Sequence, residues 1–565
     1  MSHLVKIILI FILFYPLATT VEANVAQGNF ALTLPSPVKT IKQKSKKLPK
    51  IALATNALDE PSLQSGDNNK FPGNSLALSL RDVVMRTLAS NVAIEVEGFN
   101  SKVKAENVID GESEFDATFE INLSEEEETR QQSNAFSSPV KSRNKNHNWD
   151  LSLTQKLVTG ADYELSFTND RNKTNSVTAG LNPSYFSEMV FSLTQPLLKN
   201  FGIDLNKRNI YIANNEVNIS DYVFEDKVID IISDVENVYW DLVFTIEDLA
   251  VKKKSLERAR DLERQVKAQV AVGTMAEIET LQAQSEVASR DESLLVAQDL
   301  IQDNEDILKN ILNIDYGSEE GLKAIHPSDR PEIVIDEINL NEAIKGTLLN
   351  RPDYLGKKKE LENKNILVKF RENQLYPTVD LFGTMGLNGL SGDAITVNTG
   401  TFQGKSKYGG DYGTALSDSL TGKFYNWEVG INLSYPLGNR SAKAQLAASR
   451  LEKAQLILSI KDLEKSIIVE VREAIRQLKT DLKRINATRI ARKLAEEKLK
   501  AEEKKFEVGL STSFNVLEFQ EDLAEEQSNE IKALIDYKKS KIRLRQVMAT
   551  TLKENDIKLK SKENT

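Results

Sequence analysis

The sequence predicts a mixed α+β membrane protein in which the strands of a transmembrane β-barrel run into long α-helical coiled coils, with the whole plan stated twice. Three observations carry this reading. Several segments alternate apolar and polar residues with a period of two, two proline-free stretches carry apolar residues three and four apart over about 65 positions, and both patterns recur in the same order.

Composition narrows the alternatives. The chain has 565 residues with 73 Lys+Arg against 83 Asp+Glu, a net charge of −10, so it is no polycation and nucleic acid is not an expected partner. Cysteine is absent, which removes thiol nucleophiles, disulfides and Cys-based metal sites. Of three histidines, His3 lies in a leader and His147 and His326 are far apart. No acid, base, nucleophile or ligand cluster converges in either half, so no enzyme activity, catalytic residue, cofactor or metal is expected. Gly383, Gly386, Gly389 and Gly392 lack the strand–helix context of a phosphate loop and read as loop flexibility.

The amino terminus reads as an export signal over 1–23. Lys6 precedes the apolar run Ile7–Leu17, and Val21 and Ala23 give the small-residue cleavage pattern, so the mature chain is expected to begin at Asn24. About 11 apolar residues fall short of the roughly 20 that span a bilayer. No Cys follows the run, which excludes amino-terminal lipid attachment. Residues 24–75 are polar, rich in Lys and without sustained periodicity, and read as a disordered leader.

Repetition sets the domain plan. Leu80–Leu88 aligns with Leu340–Leu348 at an offset of 260, Gln195-Pro196-Leu197 with Tyr435-Pro436-Leu437 at 240, and Val272-Gly273-Thr274 with Val508-Gly509-Leu510 at 236. The reading is a first repeat over 76–315, with strands at 115–195 and a helical tip at 272–274. A linker over 316–339 follows, then a second repeat over 340–550, with strands at 377–435 and a tip at 508–510. A polar tail occupies 551–565.

Each repeat carries a long helical hairpin. From Val228 to Val270 apolar residues recur at coiled-coil steps without proline, and Leu463, Ile467, Val471, Leu478, Leu482 and Ile485 do the same in the second half. About 65 helical residues reach roughly 100 Å, too long to stand without lateral packing. Gly273 and Gly509 end these helices where a left-handed residue costs least, and second amphipathic helices follow from Ile278 to Ile311 and from Phe514 to Leu544.

The alternating segments are the sharper clue. Tyr425, Trp427, Val429, Ile431, Leu433 and Tyr435 alternate with polar residues or Gly, as a strand with one face in lipid requires. Segments at 115–124, 149–154, 163–168, 188–194 and 378–381 repeat the pattern. The turn at Thr159-Gly160 is tight, whereas the links around Glu125–Asn148, Asp170–Ser184 and Asn388–Lys423 are long, an arrangement with short turns inside and long loops outside. The Glu125–Glu128 run reads as part of an external loop. Six strands cannot enclose a pore, because about eight are the minimum, so several chains must share one barrel.

This combination resembles the TolC family of outer-membrane efflux and secretion channel proteins. The resemblance runs from about Leu76 to Leu552. It is carried by Gln195-Pro196-Leu197-Leu198, Tyr239-Trp240-Asp241-Leu242, Arg351-Pro352-Asp353-Tyr354 and the Val-Gly-Thr and Val-Gly-Leu tips. It implies a homotrimer with its barrel in the outer membrane of a Gram-negative-type bacterium and an α-helical tunnel in the periplasm. It further implies docking to a periplasmic adaptor bound to an inner-membrane pump or ABC exporter. The exported substrate, drug, metal or protein, is left open. A periplasmic or secreted coiled-coil scaffold without a pore is the alternative, and it leaves the alternating segments unexplained.

The resemblance assigns roles residue by residue. Val272, Gly273, Thr274, Val508, Gly509 and Leu510 match the adaptor-docking tips. Glu518 and Asp522, four apart on one helix face, would form rings of like charge under threefold symmetry and act in gating or selectivity; Asn515 stands where the family carries another acid. A solvated helix face is the competing reading. Tyr425 to Tyr435 would face lipid, and Glu188 and Glu428 the lumen. Family members bring four strands per chain, whereas this chain has a further alternating pair at Trp149–Leu157 and Ala161–Thr168. A trimer has 18 strands if both enter the barrel and 12 if they do not; outward Trp149 and Phe167 favour the larger barrel.

Overall fold

The computed structural model describes residues 75–131, 141–334, 338–398 and 403–559. The expected signal peptide and the leader, save Ser75, lie outside the described residues, as does the tail beyond residue 559.

The chain opens with β1 (Ser75–Leu78), α1 (Leu80–Ser90) and α2 (Val92–Glu112), followed by a short 3-10 turn at Ser113–Phe115. Four strands come next: β2 (Thr118–Gln131), β3 (Lys141–Lys156), β4 (Asp162–Thr174) and β5 (Leu181–Pro196). A turn of helix, α3 (Ile203–Asn206), leads into the long α4 (Arg208–Ala271), and α5 (Glu277–Ile311) returns alongside it. The second half holds β6 (Ala324–Pro327), α6 (Leu340–Asn350), α7 (Pro352–Asn373) and β7 (Thr378–Ala394). Then come the small β8 (Thr396–Asn398) and β9 (Gln403–Lys405), α8 (Tyr412–Leu420) and β10 (Phe424–Ser434). The long α9 (Arg440–Glu507), α10 (Ser513–Val547) and the short α11 (Thr551–Glu554) close it.

Local signals place these boundaries. Ser79 and Asp82 cap α1 reciprocally, the Asp82 amide donating to Ser79 Oγ at 3.2 Å and the Ser79 amide to Asp82 Oδ2 at 3.1 Å. Asn91 ends α1 and starts α2, its Oδ1 accepting from the amides of Ala93 and Ile94. Pro352 takes the first turn of α7, where its missing N–H has no partner to lose.

The six alternating segments form one antiparallel sheet in the order β10-β7-β5-β4-β3-β2, so the extra pair enters it as β3 and β4. Its register sorts side chains by parity. One rung reads Phe119, Leu153, Leu165, Phe191, Met385, Trp427, and the next reads Ile121, Leu151, Phe167, Met189, Leu387, Tyr425, all on one face. The opposite face carries Thr118, Thr154, Glu164, Ser192, Thr384 and Glu428 along a single rung. Both end strands, β2 and β10, have one neighbour each.

The strands run past the expected limits. Glu125–Glu128 belong to β2, paired with Lys145, Asn144, Asn146 and His147 on β3, and not to a loop. Four consecutive glutamates put charge on both faces there, so the apolar alternation stops and hydropathy ended the strand early. The four glycines 383, 386, 389 and 392 also lie in β7, not in a flexible loop. At two of them the reason is close approach of backbone: a Cβ on Gly389 would meet the Ala415 carbonyl of α8 at 2.0 Å, and one on Gly392 the Pro183 carbonyl at 2.4 Å.

Helix packing supplies three apolar clusters. Val228 to Val243 of α4 pack with Val83 and Val84 of α1, Leu308 of α5, Ile325 of β6 and Ile542 of α10. Ile467, Val471 and Ile485 of α9 pack with Tyr354, Ala533, Tyr537 and Leu544. Near the hairpin ends Leu262 and Val266 join Leu499, Phe506, Val516 and Leu523. Within the stretch read as a linker, β6 pairs in parallel with β1, and from the expected tail Leu552 and Ile557 enter the first cluster.

Candidate functional site

The two hairpin ends share one geometry. In the first, the Gly273 amide donates to Val270 O at 2.9 Å and the Thr274 amide to Gln269 O at 2.9 Å, with Gly273 at φ +77. In the second, the Gly509 amide donates to Phe506 O at 3.0 Å and the Leu510 amide to Lys505 O at 2.8 Å, with Gly509 also at φ +77. Both are Schellman caps, which satisfy the last carbonyls of a helix through a left-handed residue. A Cβ on either Gly would meet nothing within 4 Å, so glycine is required by its φ and not by crowding. Val272 is 74% exposed and Leu510 78%, and Val508, Ile278 and Phe514 are exposed beside them. Ser513 at the second tip hydrogen-bonds Glu279 beyond the first, so the tips lie side by side.

Just past the second tip, Glu518 and Asp522 are exposed on one face of α10, while Val516, Leu517, Gln520 and Leu523 face inward. Asn515 is half-buried and its Nδ2 donates to Ser511 Oγ at 3.3 Å. Tyr425, Trp427, Val429, Ile431 and Leu433 are exposed on β10, Trp427 at 69%, and Tyr435 is exposed just past its end. On the polar face, Glu188 and Glu428 are on the same side of the sheet as expected, and the ring of Phe382 lies over Gly430.

The short motifs turn out to be joints. Arg351 places Nη1 2.6 Å from Glu470 and Nε 3.0 Å from Asp353, while the Tyr354 hydroxyl donates to Glu464 at 2.5 Å, so the motif fastens α7 to α9. That bond to Glu464, with burial, pushes the Tyr354 hydroxyl up to about 12. The Tyr239 hydroxyl donates to Asp329 at 2.7 Å and its ring is fully buried, fixing α4 to the stretch after β6. Gln195-Pro196-Leu197 ends β5, and the Leu197 amide donates to Val379 O at 2.7 Å.

Sequence reasoning missed the buried polar bridges. Arg290 of α5 is 7% exposed and bonds Ser255 O at 3.1 Å on α4, Glu286 at 2.8 Å, and Gln520 at 3.1 Å and Leu517 O at 2.8 Å on α10. Its position within an amphipathic helix gave no signal, because two of its partners, Gln520 and Leu517, lie in the other hairpin.

Comparisons with known proteins agree with this geometry. A family model described as "Outer membrane efflux protein" matches residues 162–313 and 343–550. "Toxin and drug export protein A" of Aggregatibacter actinomycetemcomitans is 26% identical over 205 residues, 36% of this chain. The match spans 41% of that relative's length. Solved structures similar in fold include the CmeC outer membrane channel of Campylobacter jejuni, with a TM-score of 0.58, 14% identity and coverage of 89% of this chain and 98% of that one. The outer membrane protein VceC of Vibrio cholerae gives 0.57, 15%, 83% and 95%. A membrane protein from Pseudomonas aeruginosa gives 0.59, 14%, 83% and 93%. At these identities the structural likeness establishes the fold alone. With the family model covering more than half of its residues, the chain belongs to the outer membrane efflux protein family.

Proposed function

We propose that this chain is the outer-membrane exit duct of a tripartite efflux or type I secretion system. One observation carries the reading: a single sheet presents two all-apolar rungs on one face, a polar rung on the other, and, among the described residues, an end strand with an open outer edge on each side. An apolar face of this extent is stable in lipid, and unpaired edges are not. β2 runs away from the helices and β10 runs back, so β10 of one copy would lie antiparallel to β2 of the next. Three copies give a closed 18-stranded barrel, in the size range of about 16–18 strands that leaves an aqueous channel. The lipid-facing residues are then Tyr425, Trp427, Val429, Ile431, Leu433 and Tyr435, and the helices continue the duct in the periplasm.

The matched hairpins over 76–315 and 340–550 support two structural repeats in each chain. Their ends, Val272-Gly273-Thr274 and Val508-Gly509-Leu510, are the docking points for a periplasmic adaptor that joins an inner-membrane pump or ABC exporter. Three copies of Glu518 and Asp522 near those ends would form an acidic constriction favouring cations, with Asn515 beside it. Toxins and drugs, which the toxin and drug export protein of Aggregatibacter actinomycetemcomitans is named for exporting, are the first cargo classes to examine.

Planar-bilayer recording tests this. The purified protein is expected to give discrete openings with cation preference, and Glu518→Gln/Asp522→Asn is expected to remove the preference while openings remain. A water-soluble protein that never inserts or conducts would overturn the reading.

A further inference from the structure

Above its apolar rungs the sheet changes character on the same face. Beyond the Ile121 rung, Leu123 stands across from Trp149, Asn169 across from Ser187 and Ser187 across from Gly389, the Asn169 side-chain amide donating to Trp149 O at 3.2 Å, and here α8 covers part of the face. Trp149 meets Phe167 at 5.5 Å and Tyr412 of α8 at 5.4 Å, and Tyr412 meets Tyr185 at 6.3 Å, forming an aromatic rim. The next rung is Glu125, His147, Arg171, Tyr185, and the one beyond it Glu127, Lys145, Lys173. In β3 the alternation is strict: Lys141, Arg143, Lys145 and His147 take this face, while Ser142, Asn144, Asn146 and Asn148 take the other. Such sorting has no use in an isotropic solvent, where charge could face either way.

The cations exceed their partners. Lys145 Nζ lies 2.5 Å from Glu125 and Arg143 Nε 3.6 Å from Glu127. Arg171 and Lys173 have no ion-pair partner among the described residues, although Lys173 stands directly across from Lys145. Like charges opposed on a sheet destabilise it unless an anion sits between them.

We infer that Arg143, Lys145, Arg171 and Lys173 hold the phosphate groups of a lipid headgroup in the outer leaflet, with its acyl chains against the apolar rungs below Trp149. The inference rests on the channel reading given above. Continuity with the apolar face selects a lipid, and the excess of cations selects an anionic headgroup, phosphate being the anion that bilayer lipids carry.

The test uses the full-length protein in detergent, with native mass spectrometry counting retained lipid. Diphosphoryl lipid A is the probe and phosphatidylcholine the comparison. Selective retention of lipid A is expected, and equal retention of both would overturn the inference. Arg171→Gln/Lys173→Gln should weaken lipid A binding about 30-fold, from a factor of roughly five per cation. Lys461→Gln/Lys465→Gln on α9 changes the net charge equally and should bind as the parent does; an equal loss there would reduce the effect to bulk charge and overturn the inference. Glu125→Gln/Glu127→Gln should bind more tightly, because Lys145 and Arg143 lose their carboxylate partners, a gain that a misfolded sample could not produce. Displacement of the lipid by millimolar inorganic phosphate would assign a free-phosphate site and overturn the lipid assignment, whereas persistence supports it. Conductance is recorded on the same samples: channels without lipid selectivity sink this inference alone, and absence of both insertion and conductance sinks the channel reading beneath it.

Discussion

Nη2 of Arg545 lies 2.6 Å from Oε2 of Glu236, a carboxylate with no exposure at all, so an ion pair inside the helical region ties α10 to α4. Asn555 donates to the other oxygen, Oε1, at 3.1 Å. Burial pushes the Glu236 carboxyl up, and the Arg545 charge opposes that rise. Both oxygens are therefore satisfied, and the pair costs little while it is whole.

Breaking it is a different matter. Arg545→Met should destabilise the helical region by about 3–5 kcal/mol, because it strands a buried carboxylate, whereas Glu236→Leu/Arg545→Met should lie much closer to the parent. The deficit of Arg545→Met should shrink as pH falls, since Glu236 then takes a proton. Urea unfolding followed by circular dichroism at neutral and mildly acidic pH checks both.

Asp226 on α4 gives a second pH-dependent expectation. Burial first, then Asp230 and Asp353, push it up to about 6, with Arg351 opposing. A carboxyl raised in the folded state contributes no penalty below its ordinary value of 3.8, where it is neutral in both states. As pH rises from about 4 through about 6 the unfolded chain ionises freely and the folded one does so at a cost, so stability falls and stays lowered above. Asp226→Asn should thus melt higher than the parent at pH 7.5, with the difference vanishing near pH 4. A thermal-melt series across that range would refute this if the gap were constant.

The hairpin ends allow a cleaner separation of backbone from contact. Gly273→Ala and Gly509→Ala should each cost about 1 kcal/mol, the penalty of a side chain in left-handed backbone, with no further steric term because the space is empty. Leu510→Asp should leave stability unchanged, since the side chain is exposed, and should abolish adaptor capture in a pull-down. If Leu510→Asp bound an adaptor as the parent does, the second tip would not be the docking point.

Much of the fold was legible because its two periodicities are physical requirements. A strand facing lipid must alternate, and a helix packed along its whole length must repeat its apolar stripe, so β10 and α9 announce themselves. What stayed hidden depends on partners distant in sequence. Arg290 and Glu236 look like surface residues until α10 is placed against them. The glycines of β7 look like loop residues until α8 is docked on the strand. The charged ladder of β2 and β3 escaped because hydropathy registers apolar against polar, and there both faces are polar.

The unpaired edges give the most direct test of assembly. Closure requires β2 of one copy beside β10 of another, and the parent chain has no cysteine to confuse an introduced pair. Asn122→Cys combined in turn with Cys at Gly430, Asn432 or Ser434 samples three registers on the polar face. A disulfide forms when Cα atoms lie about 4.4–6.8 Å apart, so one register should cross-link readily and its neighbours poorly. Since each chain offers one β2 and one β10, a closed ring of three yields a covalent trimer in denaturing gels under oxidation, and single-cysteine variants yield none. A ladder of species beyond the trimer would mean open-ended association, and dimers alone would mean edge pairing of another symmetry. Either pattern would exclude a shared threefold barrel, whatever the conductance.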